Sequence, residues 1–463
     1  MALDRRRFLK GFGKSAGLAA LATTLPAVAK AEIPLFQNIS LRGSLDASQF
    51  GVRPGAWDDQ SKVLQNVLDR AAEEDKPLFL PPGTYVASNL KLPKRTRITG
   101  VPGASKLVYG GDGHFLTAEN CEHFSLTGLV IDGANRRFND PAGGLVHAIN
   151  CRHVVIDNCD IIGSIASGIK LERSGGRIER SSISGAGGDA GIYSVEATGL
   201  QIINNVVADC ANGGILVHRW TAGEDNSIVT GNRIERIKSV NGGTGQWGNG
   251  INIFRAHSVL VNNNRISDCA FSAVRSNGGN NVQILGNNCS RLGETALYSE
   301  FEFEGAVISN NIVDSATMGV SVANFLQGGR MSVVSNNLIR NLKTKGPYDA
   351  DQPGFGIGIS VEADTSVTGN VIENAPLYGI NLGWGPYLRD VVANANVIRN
   401  AGEGIAVSVV KGAGEALITN NVIRNAPGGA IVGHHWSKAV TKDLALARSS
   451  GFDHLTVKGN LVS

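Results

Sequence analysis

The sequence contains few charged and few aromatic residues for its length. Charged side chains make up 18% and aromatic side chains 6% of the 463 residues, and the formal net charge is only +3. This weak, evenly spread charge argues against nucleic acid as a partner, because binding to phosphates needs a concentrated basic surface. After the N-terminal region, no stretch reaches the ~20 apolar residues that a membrane-spanning helix needs. We therefore expect no integral membrane segment in the mature chain.

Glycine is abundant, with 59 residues, and a short motif recurs along the chain. Two copies are "VVSNNLIRN" from residue 333 and "LITNNVIRN" from residue 417, in which a polar pair separates two apolar pieces. The second residue of the pair is Asn at intervals of 23 to 39 residues. Such a period, varied by insertion, indicates stacked repeats in one elongated body. The recurring positions are Asn205, Asn232, Asn264, Asn287, Asn311, Asn337, Asn370, Asn396, Asn421 and Asn460.

Each repeat contains three strand-like pieces: one that begins "GIxV", an alternating piece such as "SIVTG", and the piece after the Asn. Parallel strands cannot be joined by a two-residue hairpin, so the polar pair predicts a corner. A corner of this kind needs a left-handed residue, which Asn tolerates, and stacked Asn side chains can hydrogen-bond to one another. The sequence therefore predicts an all-β, right-handed parallel β-helix of about a dozen coils. A leucine-rich repeat horseshoe is disfavoured because its leucine framework is absent.

Residues 1–31 have the features of an export signal. "RRRFLK" at residues 5–10 precedes a weakly apolar stretch with small residues at Ala29 and Ala31. The arrangement resembles the twin-arginine signals of bacteria, although Asp4 stands where Ser or Thr is more usual. The resemblance implies twin-arginine translocation and a periplasmic or secreted protein.

Residues 32–95 are expected to form an N-terminal cap, and residues 96–463 the β-helix repeats. Within the cap, Asp58 and Asp59 give an N-cap signal. Such a helix would cover the open edge of the first coil. Its apolar face is formed by Val63, Leu64, Val67, Leu68 and Ala71.

The same cap resembles the pectate-lyase-like superfamily of β-helix proteins. The order "DASQFGVRPGAWDDQ", amphipathic helix, "LFLPPGTY" is similar to the opening of that superfamily, with Ser61 where Thr is usual. This resemblance implies the fold. With the export signal added, the whole chain is similar to a family of Tat-exported repetitive proteins of unassigned activity, so it implies no reaction.

Two of the six cysteines occupy matching frames. Cys121 in "AENCEHFSL" and Cys151 in "AINCRHVVI" should stack on adjacent coils about 4.8 Å apart. That spacing allows a disulfide in an oxidising compartment, while a ladder of unpaired buried cysteines is the alternative. Cys210 and Cys269 share a column two coils apart, beyond disulfide reach.

Strand alternation identifies the outward face of the "GIxV" pieces, the face that carries active sites in the superfamily. A first outward column contains Lys170, Tyr193, Leu216, Asn252, Arg275, Tyr298, Ser321, Ser360 and Asn381. A second contains Glu172, Glu196, His218, Phe254, Asn277, Glu300, Ala323, Glu362 and Gly383. Groups with catalytic potential concentrate in the first half of both columns.

These columns and their flanking loops supply the candidate site. Trp faces stack on sugar rings and Arg forks hold carboxylates, so the predicted partner is a polysaccharide. The candidate catalytic residues are His218, Arg275, Tyr298, Glu196 and Glu300. The candidate substrate-binding residues are Arg219, Trp220, Trp247, Asn252, Arg255 and Asn277.

This residue set favours a lyase or C5-epimerase acting on a uronic-acid glycan. An arginine would neutralise the sugar carboxylate, and His218 or Tyr298 would remove the C5 proton. Hydrolysis needs two carboxyl groups about 5 to 9.5 Å apart; Glu172 and Glu196 on neighbouring coils would meet that spacing, but the polygalacturonase signatures are absent. The alternative is a non-catalytic β-helix that binds envelope glycan or acts as an adhesive rod. No cofactor and no metal site is predicted, and a calcium requirement is left open.

Overall fold

The computed structural model describes residues 43–138, 143–323, 330–447 and 451–463, which belong to one unit, Gly43–Ser463. The predicted export signal lies outside the described residues. Nearly all regular structure consists of short strands that pair in parallel with the strands one coil before and after. Each repeat contributes one strand to each of three walls, which we call the front, back and side walls.

The back wall is a 16-stranded parallel sheet built from the alternating pieces of the repeats. Its strands are Leu45–Asp46, Leu78–Phe79, Thr96–Thr99, His123–Thr127, His153–Asp157, Gly176–Glu179, Gln201–Ile203, Ile228–Thr230, Leu260–Asn262, Val282–Leu285, Glu304–Ser309, Arg330–Ser335, Ala363–Thr368, Arg389–Asn394, Ala416–Thr419 and Leu455–Lys458.

The front wall contains the "GIxV" pieces. Its strands are Leu90–Lys91, Leu116–Glu119, Gly144–Ile149, Ser167–Glu172, Ile192–Val195, Ile215–Glu224, Ile251–His257, Val274–Asn277, Thr295–Glu300, Met318–Ala323, Ile357–Val361 and Ile431–His435, to which Lys438–Ala439 adds an antiparallel strand.

The side wall contains the pieces that follow the recurring Asn. Its strands are Gly83–Ala87, Ser105–Tyr109, Val130–Asp132, Asp160–Ile162, Ser182–Ser184, Val206–Ala208, Arg233–Ile237, Arg265–Cys269, Asn288–Ser290, Ile312–Asp314, Leu338–Arg340, Val422–Arg424 and Leu461–Val462. Two longer strands, Val371–Leu382 and Val397–Ser408, run through both the side and the front wall and join them into one 28-stranded sheet. The predicted parallel β-helix is confirmed.

The recurring Asn residues form a buried ladder at the corner between the back and side walls. Asn205 Nδ2 donates to Asn232 Oδ1 at 3.1 Å and to the Ile178 carbonyl at 2.9 Å, while the Asn205 backbone N–H donates to the same Asn232 oxygen. The pattern continues coil by coil to Asn460. The predicted side-chain ladder is confirmed.

The left-handed residue of this corner is the one before the ladder Asn. Asn204 (φ 57°), Gly231 (φ 68°) and Asn263 (φ 55°) have positive φ, whereas the ladder residues do not. The expectation that the ladder Asn itself makes the left-handed bend is therefore wrong. The corner therefore depends on two neighbouring positions. The first residue turns the chain, and the second, the ladder Asn, hydrogen-bonds to the backbone groups that the turn leaves buried.

The capping helix is Ser61–Glu73, and Leu64, Val67, Leu68 and Ala71 on it are buried, as predicted, while Val63 is partly buried. The N-cap position is Gln60 rather than either aspartate. Asp59 Oδ1 instead accepts a hydrogen bond from the Ser61 backbone N–H at 2.9 Å. The helix shares one hydrophobic core with the coils.

Cys121 and Cys151 form a disulfide between adjacent coils, with Cα atoms 4.6 Å apart. Cys159, Cys210, Cys269 and Cys289 are buried free thiols. Burial raises the pKa of the Cys210 thiol to about 12, so these thiols pack as apolar side chains. In the described ranges, no helix has the length and apolar character required to cross a bilayer.

Candidate functional site

The front wall stacks outward side chains in the columns that alternation predicts. Tyr193, Leu216, Asn252, Arg275 and Tyr298 are in register on successive coils. In the second column, His218, Phe254, Asn277 and Glu300 are in register. The placement of Glu196 in this column is wrong, because the strand pairs Val195 with His218 and ends there.

His218 is buried, with 2% of its surface exposed. Its Nε2 donates to Asn252 Oδ1 at 2.9 Å, and its Nδ1 has no hydrogen-bond partner among the described residues. Desolvation lowers the His218 pKa to about 4. The rings of Tyr193, Phe254 and Trp220 lie around it at 5.3, 5.7 and 6.3 Å. The imidazole is thus neutral at neutral pH but separated from solvent by an aromatic enclosure.

Glu196 and Arg219 form an ion pair beside this enclosure. Arg219 Nη2 lies 2.8 Å from Glu196 Oε2, and Glu196 Oε1 accepts a hydrogen bond from the Trp220 backbone N–H at 2.9 Å. Arg255 is exposed, lies over the Phe254 ring at 4.9 Å and donates to the Trp220 carbonyl. These contacts hold the second half of the strand Ile215–Glu224, and leave the Trp220 ring itself 58% exposed.

Arg275 is the centre of a buried charge cluster two coils further on. Its Nε and Nη2 donate to the two oxygens of Glu300 at 2.6 and 3.0 Å, and Nη1 donates to Thr244 Oγ1 at 2.7 Å. Nη1 is also 3.6 Å from Glu294 Oε2, and Asn277 Nδ2 donates to Glu300 Oε1 at 3.1 Å. The guanidinium is therefore engaged by protein groups on both sides.

Glu294 is a site residue that the sequence reasoning missed. Its carboxylate is buried, accepts a hydrogen bond from Thr244 Oγ1 at 3.0 Å, and also accepts one from the Tyr348 hydroxyl. Glu294 lies just before the strand Thr295–Glu300. Because strand alternation does not extend to this position, it does not predict which way the side chain points. Thr244 and Tyr348 come from insertions of irregular length, which carry no periodic signal.

Tyr298 lies next in the first column, with the Arg275 guanidinium 4.8 Å from its ring centre. Burial and the nearby Glu300 carboxylate raise the pKa of its phenol well above the ordinary tyrosine value. At neutral pH the hydroxyl is therefore protonated, and in that state it can donate a proton or a hydrogen bond.

A cleft of about 230 Å³ opens over the front wall beyond Tyr298, and we call it the front-wall cleft. Tyr298 is the predicted catalytic residue that lines it; His218, Arg275, Glu196 and Glu300 are not among the lining groups. The acidic, small polar and aromatic side chains that line it include Glu294, Tyr298, Ser321, Tyr348, Asp351, Ser360, Glu362, Asn381 and Trp384.

Two other surface features compete with this cleft. A larger groove, about 740 Å³, lies beside the capping helix, but Trp57, the single aromatic side chain among its described lining residues, is 86% exposed. On the front wall before Tyr193, His147 Nε2 and Lys170 Nζ both contact Glu172, at 3.0 and 3.1 Å. The Glu172 carboxylate is therefore already bound by Lys170 of its own coil and His147 of the preceding coil, which disfavours it as the partner of Glu196 in hydrolysis.

Within the described ranges, no group of three or more His, Cys, Asp or Glu side chains is arranged to hold a metal ion.

Comparison with known proteins gives one family match. The family model described as a right-handed beta helix region matches residues 119–246, 239–389 and 325–444. Among curated proteins, none matches the sequence.

Solved structures share the architecture at low identity. The N-terminal fragment of gene product 12 of bacteriophage phi29 is 16% identical at a TM-score of 0.54, over 89% of this chain and 74% of that one. The pre-mature gene product 12 is 18% identical at 0.52, over 89% of this chain and 57% of that one, so this chain spans little more than half of its length. A mannuronic acid specific polysaccharide family 6 lyase from human gut microbiota is 15% identical at 0.45, over 82% and 85%. Such identities show the fold alone.

Proposed function

Because the chain belongs to the right-handed β-helix family, whose coils align side chains into long surface columns, we propose that it binds a polysaccharide along the front-wall cleft. Such a ligand is itself a repeat, and a groove crossing several coils offers it similar contacts at regular spacing. Along the first column, Tyr298 and Asn381 are three coils apart, about 14 Å at the usual strand spacing.

The composition of the cleft carries this proposal. Tyr298, Tyr348 and Trp384 provide amphipathic rings at its edges, which suit the alternating apolar and hydroxyl faces of sugars. Between them, Ser321, Ser360 and Asn381 form an in-register row of small polar groups. Asn381 Nδ2 donates to Ser360 Oγ at 3.1 Å, and this hydrogen bond orients the two side chains toward each other along the row.

The charges of the cleft favour a glycan without carboxylates. Glu294, Asp351 and Glu362 line it, and Arg275, the cation nearest to Tyr298, is already paired with Glu300 and close to Glu294. A uronic-acid chain would bring further negative charge to this surface, and no arginine or lysine is among the described residues that line it. For this reason we rank binding of a neutral glycan ahead of uronan chemistry.

The test is binding of purified protein to a panel of neutral and uronic polysaccharides by isothermal titration calorimetry. We expect binding to a neutral glycan, and a loss of at least tenfold in affinity for Trp384→Ala. Trp220→Ala is the matched control, since Trp220 is an exposed front-wall tryptophan outside the cleft. Loss of binding in Trp220→Ala with retention in Trp384→Ala would move the site to the front-wall surface at Trp220 and reject this one.

A lyase or C5-epimerase activity on a uronic-acid glycan is a second candidate, favoured by one observation. Tyr298 lines the cleft, with the Arg275 guanidinium 4.8 Å from its ring centre and the Glu300 carboxylate near its hydroxyl. A hydroxyl so placed is in position to exchange a proton with a sugar carbon or oxygen. Because a calcium requirement is left open, activity on a uronan is to be measured both with added calcium and with a chelator.

Export by the twin-arginine route completes the proposal, because an envelope or extracellular glycan lies outside the cytoplasm. It rests on the resemblance of residues 5–10 to twin-arginine signals. The double substitution Arg5→Lys with Arg6→Lys is expected to keep the protein in the cytoplasm, as fractionation and immunoblotting would show. Unchanged export of the double variant would reject this route.

A further inference from the structure

Trp436 is a half-exposed tryptophan in the turn after the last front-wall strand. It follows Ile431–His435, whose His434 and His435 pair with Ala439 and Lys438 in a tight antiparallel hairpin. The side chain is 47% exposed and belongs to none of the hydrophobic core clusters. The coil therefore does not need this ring for its own packing.

The Trp436 ring is nevertheless held in one place by the coil before it. It lies against Gly385, where a Cβ atom would come within 2.4 Å of the ring atoms. Gly385 also has φ +60°, and its carbonyl accepts a hydrogen bond from Ser408 Oγ at 2.7 Å. The Gly385 backbone, which has no side chain, therefore packs directly against the Trp436 ring and holds it in position.

Two further rings connect Trp436 to the front-wall cleft. Trp384, which lines the cleft, is 5.4 Å from Trp436 with the rings at 72°. Tyr387 is 6.5 Å from Trp436 at 74°. Edge-to-face packing of this kind fixes the rings while leaving faces open. We name Trp384, Tyr387 and Trp436 the aromatic shelf.

From this continuity we infer that the aromatic shelf is an additional sugar-binding subsite, which extends the front-wall cleft to the last coil and makes the protein selective for long glycan chains. The inference rests on the proposed function and specifies the chain length that the site takes. From the Tyr298 coil to the Trp436 coil there are five strand steps, about 24 Å, against about 14 Å to the Trp384 coil. The steps are Tyr298, Ser321, Ser360, Asn381, Ala406 and Val432.

The experiment measures affinity against chain length. A series of oligosaccharides, prepared by partial hydrolysis of the glycan that the wild type binds, is titrated into wild type, Trp436→Ala and Trp436→Phe. We expect the wild-type affinity to rise in a first stage, as the oligosaccharide becomes long enough to fill the cleft, and in a second stage, when it also reaches the aromatic shelf. Trp436→Ala should lose about tenfold for long chains only, and Trp436→Phe should retain most of the second stage.

A matched control is Leu446→Ala, which removes another exposed apolar side chain near the C-terminus, 77% exposed. It should leave both stages unchanged. Equal weakening of short and long oligosaccharides by Trp436→Ala, or no weakening, would overturn the subsite while the cleft proposal stands. Wild-type protein that binds glycan but is dimeric, with a monomeric Trp436→Ala variant in light scattering, would assign the shelf to contact between copies. A wild type that binds no glycan would overturn both proposals.

Discussion

Arg275 and Glu300 face each other on adjacent coils of the front wall, joined by two parallel hydrogen bonds of 2.6 and 3.0 Å. Both are nearly removed from solvent, with 8% and 1% of their surfaces exposed. A pair buried to this extent is costly to split, because removal of one partner leaves the other charge without water or a counter-ion. The same pairing withdraws the arginine from substrate binding.

Glu300→Gln is therefore expected to destabilise the protein by about 3 kcal/mol. The amide keeps the shape but loses the charge, and the remaining Glu294 at 3.6 Å compensates Arg275 only in part. Chemical unfolding followed by circular dichroism measures the change. As a control, Asp268→Asn breaks the exposed pair with Arg291 and should cost no more than about 1 kcal/mol. Equal costs for both variants would show that the front-wall pair is not shielded from solvent.

The Asn ladder leads to a second prediction, because the Asn287 side chain hydrogen-bonds to both Asn264 and Val261. Its Oδ1 accepts hydrogen bonds from the backbone N–H and from Nδ2 of Asn264, and its Nδ2 donates to the Val261 carbonyl at 3.2 Å. Asn287→Ala leaves these buried groups unpaired and should cost about 3 kcal/mol or more.

The control for the ladder is Asn394→Ala. Asn394 is half-buried and bonds to Thr419 and Asn420 near the surface, where water can replace it, so a cost of about 1 kcal/mol is expected. Asn287→Ser should lie between the two, since Ser181 occupies the same column and accepts one such bond from Cys159. If the melting temperature of Asn287→Ala equals that of wild type, the Asn ladder does not contribute to the stability of the fold.

The sequence predicted the features that repeat and missed those that occur once. Alternation locates Tyr298 and Asn381 because each strand has the same two faces on every coil. It fails at Glu196, which has φ 55° and lies beyond the last paired residue, Val195. Its side chain is set by Arg219 of the next coil, a contact that no local pattern encodes.

The site was predicted less well than the fold for a physical reason. The front-wall cleft is shaped by loops that are inserted into single repeats, such as the one that brings Tyr348 to Glu294. His218 and Arg275 were predicted as reactive and are outward by register. His218 is covered by the rings of Tyr193, Phe254 and Trp220, and Arg275 is paired with Glu300 and bonded to Thr244 of an inserted loop. Register predicts the direction of a side chain, whereas its exposure depends on neighbouring side chains and on loops that have no period.

His218 makes the stability depend on pH. Its pKa of about 4 in the folded protein lies below the value of about 6.5 in an unfolded chain, so the unfolded state binds more protons between these values. The free energy of unfolding attributable to His218 is complete above about pH 6.5, and falls by about 3 kcal/mol as the pH drops toward 4.

Comparison of wild type with His218→Gln across this pH range tests the effect, since glutamine can still donate to Asn252 Oδ1. The stability difference between the two proteins should shrink, or favour the variant, as pH falls. His435→Gln, at an exposed histidine, is the control and should run parallel to wild type. A difference that is constant with pH would show that His218 is protonated in the folded state as easily as in the unfolded chain.

Tyr298 gives the final prediction, which separates binding from chemistry. If the cleft carries lyase or epimerase activity, only the ionised phenol can remove the C5 proton, and its raised pKa makes that form scarce at neutral pH. We expect any activity on a uronan to increase with pH beyond the ordinary tyrosine pKa of about 10. Ultraviolet absorbance of unsaturated ends detects elimination, and deuterium uptake from solvent detects epimerisation.

Tyr298→Phe keeps the ring against Arg275 but lacks the hydroxyl, so it should abolish this activity and change glycan affinity by less than about threefold, the effect of one lost hydrogen bond to a solvent-accessible ligand. Tyr348→Phe is the matched control: it removes a cleft hydroxyl that is bound to Glu294 and should keep the activity. Turnover by Tyr298→Phe at the wild-type rate would exclude this residue as the base. Binding without turnover in the wild type would leave a glycan-binding β-helix, in which the paired Arg275 and Glu300 hold the wall of the cleft.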